Sequence, residues 1–212
     1  KNINSMRKIF TLFVALVYCA TVTAQNTYLF AERDGEKLYL DHYAAVDTES
    51  LRPCVIFAFG GAFARGTRAD EGYLPYFKAL TEAGYDVVSI DYRKHLAKGI
   101  DTKGLKGAII TMKNAVEYAA EDMLTATKVV IDNADRLGID VTKIVACGSS
   151  AGAITALQAE NMICNGDARA AALGKFNYAG VISMAGSAGL ALASQDIHIS
   201  PEFAGMLTAR VP

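Results

Sequence analysis

The sequence predicts an α/β fold in three layers, a mostly parallel sheet with helices packed on both faces. Three observations carry that expectation. Short unbroken apolar runs, Cys54 to Phe59 and Tyr85 to Ile90 among them, have the form of strands buried on both faces. They alternate with amphipathic segments of helical period, the pattern of strand-helix-strand units. Apolar residues make up 52% of the 212 and charged residues 20%, which suffices for a buried core and argues against disorder.

The elements follow in order. Thr27 to Ala31 and Lys37 to Tyr43 read as two strands around the turn Asp34-Gly35, an antiparallel addition at one edge. Cys54 to Phe59 is a central strand. Glu71 to Ala83 is a helix ended by Gly84, a natural left-handed cap. Tyr85 to Ile90 is the next strand. Val116, Ala120, Met123, Thr127, Val130, Ala134 and Leu137 are spaced four and three apart, one face of a long helix that stops before Gly138. Lys143 to Cys147 is a strand, Ala151 to Met162 a helix, and Tyr178 to Met184 a sixth strand. Ligands of such sheets sit beyond the carboxyl ends of the strands. The chemistry is therefore expected after Phe59, Asp91, Cys147 and Ala185.

The first residues stand apart from the fold. Met6-Arg7-Lys8 is a basic start, Ile9 to Cys19 an apolar run, and Val22-Thr23-Ala24 a small-residue cleavage signal before Gln25. Residues 1–24 are expected to be a secretory signal peptide, with 1–5 a possible upstream extension, and 25–212 a single domain. The apolar run is too short for a permanent membrane span, so the protein is expected to be periplasmic or extracellular. Lipid anchoring through Cys19 is the alternative, disfavoured by bulky Tyr18 where a small residue is needed. Cys54, Cys147 and Cys164 remain in the mature chain. Their odd number gives no disulfide framework, and Cys54 and Cys147 sit in apolar runs as small hydrophobes. No Cys–His spacing suits zinc. Formal net charge is −1, which offers nucleic acid no attractive face. The basic stretch from Arg93 to Lys106 reads as a solvated loop.

Two glycine-containing elements carry chemistry. Gly148-Ser149-Ser150-Ala151-Gly152 is a G-x-S-x-G pattern, common by itself. Here it follows an apolar strand and opens a helix, the context a nucleophile elbow requires. The strained turn lifts the Ser150 hydroxyl into the cleft, and the helix N-terminus behind it favours developing negative charge. A serine capping a helix after a glycine turn is the plainer alternative. Phe59-Gly60-Gly61-Ala62-Phe63 ends the third strand, where a serine hydrolase needs backbone N–H donors aimed at its oxyanion. The plainer alternative there is a glycine turn. Ala185-Gly186-Ser187-Ala188-Gly189 also follows an apolar strand, but it lacks the leading glycine and comes one strand late, so Ser187 ranks well below Ser150.

Residues 53–93, PCVIFAFGGAFARGTRADEGYLPYFKALTEAGYDVVSIDYR, together with 142–152, TKIVACGSSAG, resemble the α/β-hydrolase carboxylesterases, in the branch shared by type-B carboxylesterases and the hormone-sensitive-lipase group. The resemblance implies an α/β-hydrolase fold, Ser150 as nucleophile, and an oxyanion hole formed by the N–H groups of Gly61, Ala62 and Ala151. It makes Asp91-Tyr92-Arg93 the structural stretch after the fourth strand. Two positions depart from the pattern. Phe59 stands where the lipase group has histidine, which leans towards the type-B side. Ala62 replaces a third glycine and adds a methyl group near the acyl site.

The serine needs a base, and the base an orienting carboxylate. The family order is Ser, then Asp or Glu, then His. His42 and His95 precede Ser150, which leaves His198 as the candidate base. Asp196, two residues before it, is too close for an acid and a histidine that follow separate strands. Six strands are counted where the family has eight, so the acid and base are expected to lie in a missing part. The function expected is hydrolysis of small carboxylic esters, among them acylated glycans, through an acyl-enzyme on Ser150, with no metal and no organic cofactor. The alternatives are an inactive truncated hydrolase or non-catalytic binding module, and a prolyl-oligopeptidase-type peptidase.

Overall fold

A computed structural model of the chain describes residues 25–46, 51–99 and 104–187. The leader segment with Cys19, and the stretch holding Asp196 and His198, lie outside the described residues. Among the described residues six strands form one sheet: β1 Gln25–Arg33, β2 Glu36–Tyr43, β3 Arg52–Ala58, β4 Asp86–Ile90, β5 Ile139–Ser149 and β6 Gly180–Met184. Their spatial order is β1-β2-β4-β3-β5-β6. β1 and β2 are antiparallel and join β4 antiparallel, while β4, β3, β5 and β6 run parallel. This is the α/β-hydrolase fold the sequence predicts, with the opening hairpin as its antiparallel edge.

Among the described residues four α-helices connect and cover the sheet: α1 Leu74–Glu82, α2 Gly104–Asp132, α3 Ala134–Leu137 and α4 Ala151–Cys164. The chain moves one way along the sheet from β3 to β4 and the other way from β4 to β5 and on to β6. Because parallel crossovers keep one hand, the reversal places α1 on one face and α2 and α4 on the other. Every residue of β4, and six of the seven in β3, are buried accordingly. On the α1 face, Phe77 packs edge-on to Phe57 (5.1 Å) and against Tyr43 (5.1 Å). Burying one such ring contributes roughly 1.5–3 kcal/mol.

The elements differ from the sequence reading in three places. The segment from Glu71 starts as a 3-10 turn, Glu71–Tyr73, capped by Asp70 accepting from the Gly72 N–H, and becomes α-helical only from Leu74 with Pro75 in its first turn. The long helix breaks at Asn133, whose side chain donates to the Val129 carbonyl, before α3 ends at left-handed Gly138. Arg93 is not solvated but 7% exposed. Its guanidinium donates to Asp122 and Glu121 and lies 4.7 Å from the Tyr118 ring centre. Both carboxylates belong to α2, so this residue of the basic stretch clamps the β4 exit to a helix.

A second buried ionic cluster lies at the amino end of β4, away from the strand ends where ligands bind. Asp86, fully buried, accepts from His42 Nε2 (2.8 Å), Arg52 Nε (2.7 Å) and the Ala45 N–H (2.9 Å). It thus ties β2, β3 and β4 together. Burial pushes its carboxyl up, but those hydrogen bonds prevail and hold it below the usual carboxylate range. Cys54 and Cys147 are buried free thiols, as their apolar settings imply.

Candidate active site at the carboxyl ends of β3 and β5

Ser150 stands between the end of β5 and the start of α4 with φ 51° and ψ −113°. Few non-glycine residues adopt such a backbone, and it persists only where neighbours enforce it. The enforcement is visible. The Ser150 N–H donates to the Met184 carbonyl on β6 (2.8 Å), and the Ile154 N–H returns to the Ser150 carbonyl (3.1 Å). The flanking glycines explain the rest of the pattern. A Cβ on Gly152 would lie 2.0 Å from the Ala58 carbonyl oxygen, and one on Gly148 would lie 2.2 Å from the Gly152 carbonyl carbon. Helix α4 therefore rests backbone-to-backbone on the end of β3, and the hydroxyl is left on an exposed turn.

The loop after β3 meets that turn. A Cβ on Gly60 would come within 3.1 Å of the Ser149 carbonyl oxygen and 3.4 Å of the Ser150 Cβ. Gly61 has φ 138°, and a side chain there would run into the Arg65 carbonyl at 2.0 Å. Ala62 and Phe63 follow at φ 53° and 57°. Position 62 therefore keeps a backbone that suits glycine although it carries a methyl group. Gly61 and Ala62 have no hydrogen-bond acceptor for their N–H groups among the described residues. Ala151, as the first residue of α4, has no intrahelical acceptor. These three donors belong to the two segments that meet at Ser150, and the helix dipole adds partial positive charge at the same point.

Packing fixes the loop from below. The Tyr92 hydroxyl donates to the Phe59 carbonyl (2.8 Å), and its ring stacks on Phe59 at 4.4 Å. Phe59, where the lipase group carries histidine, is thus a buried core residue. Arg68 Nη1 pairs with Asp91 (2.7 Å), and the Leu96 N–H donates to the Phe63 carbonyl (3.0 Å). Tyr73, which the sequence did not single out, accepts the Gly60 N–H at 3.0 Å. Behind the elbow, burial pushes the Cys147 thiol up to about 11 despite its contact with the Tyr76 hydroxyl (3.6 Å), so it stays a neutral wall.

The other candidates fall elsewhere. His42 is committed to Asp86 at the opposite end of the sheet. His95 opens the turn His95–Lys98 and meets Tyr118 edge-on; burial and then Lys98 and Arg93 lower its pKa, which keeps it neutral. Ser187 is exposed, and the left-handed residue of its segment is Ala185, at φ 55°. Among the described residues no group of three or more His, Cys, Asp or Glu could hold a metal ion, and no helix is long and apolar enough to cross a membrane.

Residues 40–202 match the protein family described as BD-FAE. No curated protein matches the chain. Among solved structures, esterase 2 of Thermogutta terrifontis phosphoramylated by tabun is 24% identical with a TM-score of 0.50, over 66% of this chain and 48% of that one. The same esterase with propionate bound is 25% identical with a TM-score of 0.50, over 66% and 46%. A bacterial heroin esterase is 19% identical with a TM-score of 0.52, over 85% and 50%. The chain spans about half the length of the structures it matches.

Proposed function

The chain belongs to the BD-FAE family, and on that premise we propose that the protein is a serine hydrolase of carboxylic esters. Ser150 attacks the ester carbonyl, the alcohol departs, and water then releases the acid from the acyl-enzyme. The Gly61, Ala62 and Ala151 N–H groups receive the charge that collects on the carbonyl oxygen at both steps. The observation that carries this reading is the meeting of two strained segments, with Ser150 at φ 51° beside the loop Gly60–Phe63.

Attack requires a base to take the Ser150 proton and an acid to orient that base. His42 and His95 have other engagements, so a histidine beyond the described residues must act, and His198 is the one this chain offers. The substrate class is a small carboxylic ester, with acylated glycans included. The propionate in the Thermogutta esterase favours a short acyl group. The test is labelling with a fluorophosphonate, followed by peptide mapping, beside p-nitrophenyl acetate turnover. Label on Ser150 that vanishes in Ser150→Ala, together with turnover, is the expected result. Label that survives Ser150→Ala and moves to Ser187 would overturn the assignment.

A further inference from the structure

We infer that Tyr73 is a positioning residue for ester hydrolysis, holding the strained oxyanion loop in register with Ser150 through its hydroxyl. The inference rests on the reading of Ser150 as nucleophile. Gly61, Ala62 and Phe63 are three successive residues with positive φ, at 138°, 53° and 57°. Such a run persists only when its surroundings over-determine it. Phe59 and Phe63, on either side of the donors, are held by the Tyr92 hydroxyl and the Leu96 N–H. At Gly60, the residue bonded directly to the first donor, the anchor is the Tyr73 hydroxyl, 3.0 Å from the N–H it accepts.

That oxygen and the elbow also border the same side of Gly60. A Cβ built on Gly60 would lie 3.3 Å from the Tyr73 hydroxyl and 3.4 Å from the Ser150 Cβ, so phenol, loop and elbow converge on one point. The ring itself has little freedom, lying edge-on to Phe57 at 4.7 Å and stacked near Phe77 at 6.2 Å. Deleting only the oxygen would leave the ring packed and the Gly60 N–H without its acceptor. The Phe59–Gly60 peptide would then keep only the Tyr92 bond to its carbonyl, and a tilt of that peptide shifts Gly60 and carries the attached Gly61 N–H away from the oxyanion.

Tyr73→Phe tests this in the purified protein, with reactive serines counted by fluorophosphonate so that turnover is expressed per competent site. We expect kcat per site to fall on the order of 10–100-fold with KM changed less than about threefold, because a misplaced donor affects mainly the transition state. Affinity for a trifluoromethyl ketone, which forms a tetrahedral adduct on the serine, should fall by the same factor. A role confined to stability would lower the titrated fraction and leave turnover per site intact. Turnover per site within roughly twofold of wild type overturns the inference. So does loss of the folded protein, since every ring contact is retained. If the wild-type protein fails to label at Ser150, the nucleophile reading itself has failed, an outcome distinct from normal labelling with unchanged turnover in Tyr73→Phe.

Discussion

Replacing Ser150 with glycine should make the protein more stable while abolishing the ester hydrolysis proposed for it. The backbone at this residue, φ 51° and ψ −113°, belongs to a region that side chains with a Cβ rarely adopt. Holding a residue there costs on the order of 1–3 kcal/mol. Glycine removes that cost, but its looser unfolded chain takes back roughly 0.5–1 kcal/mol. No other loss enters, because the Ser150 side chain caps nothing in α4 and stands on an exposed turn. The net gain is about 1 kcal/mol, a rise of about 2–4 °C in Tm for a domain of this size. The control is Ser150→Ala, which removes the hydroxyl and keeps the Cβ and therefore the strain. Thermal and urea unfolding of the three proteins should rank glycine above both serine and alanine. Equal stability of the glycine and alanine forms would refute the argument, because the strain would then not reside in the backbone.

Asp86→Asn should cost about 3–5 kcal/mol, the usual penalty for removing one member of a buried ion pair. Because the folded carboxyl is held below its ordinary value, the stabilisation it provides is fully present above the normal carboxylate range and is lost as pH falls through the depressed value. Urea unfolding of wild type should therefore weaken steeply towards acid pH, and the variant should show a flatter slope; parallel slopes would sink the assignment. Export is checked by mass spectrometry of periplasmic or secreted protein, where an N-terminus at Gln25 is expected. An acylated Cys19 would place the protein on a membrane instead.

Where one local feature determines structure, the residues alone reveal it. Strands β3 and β4 are continuous apolar runs because a parallel sheet covers both their faces, so Cys54 to Phe59 and Tyr85 to Ile90 announce themselves. The tight strand-turn-helix at Gly148–Gly152 is legible for a similar reason, since the approach of Gly152 to Ala58 excludes any side chain and leaves a glycine in the string. Pairings between distant residues left no such mark. Arg93 looked like one more cation in a basic stretch, because its partners Glu121 and Asp122 come a helix later. Tyr73 lies 13 residues from Gly60 in a segment whose composition suggests only a helix start, so its hydrogen bond to the loop could not be anticipated. The break at Asn133 was hidden because the apolar spacing runs through it undisturbed. His198, the candidate base, falls outside the described residues, so the sequence remains the sole source for it.

The bond from the Ser150 N–H to the Met184 carbonyl has a consequence for biosynthesis. The turn that presents the hydroxyl draws its partner from a strand 34 residues further along the chain. A ribosome delivers β3, β4, β5, Ser150 and then all of α4 before β6. Until that later strand lies alongside β5, the elbow lacks the bond that fastens its backbone. Assembly of this turn is thus a late event in synthesis, and a nascent chain carries Ser150 for a time without the bond that fixes its backbone.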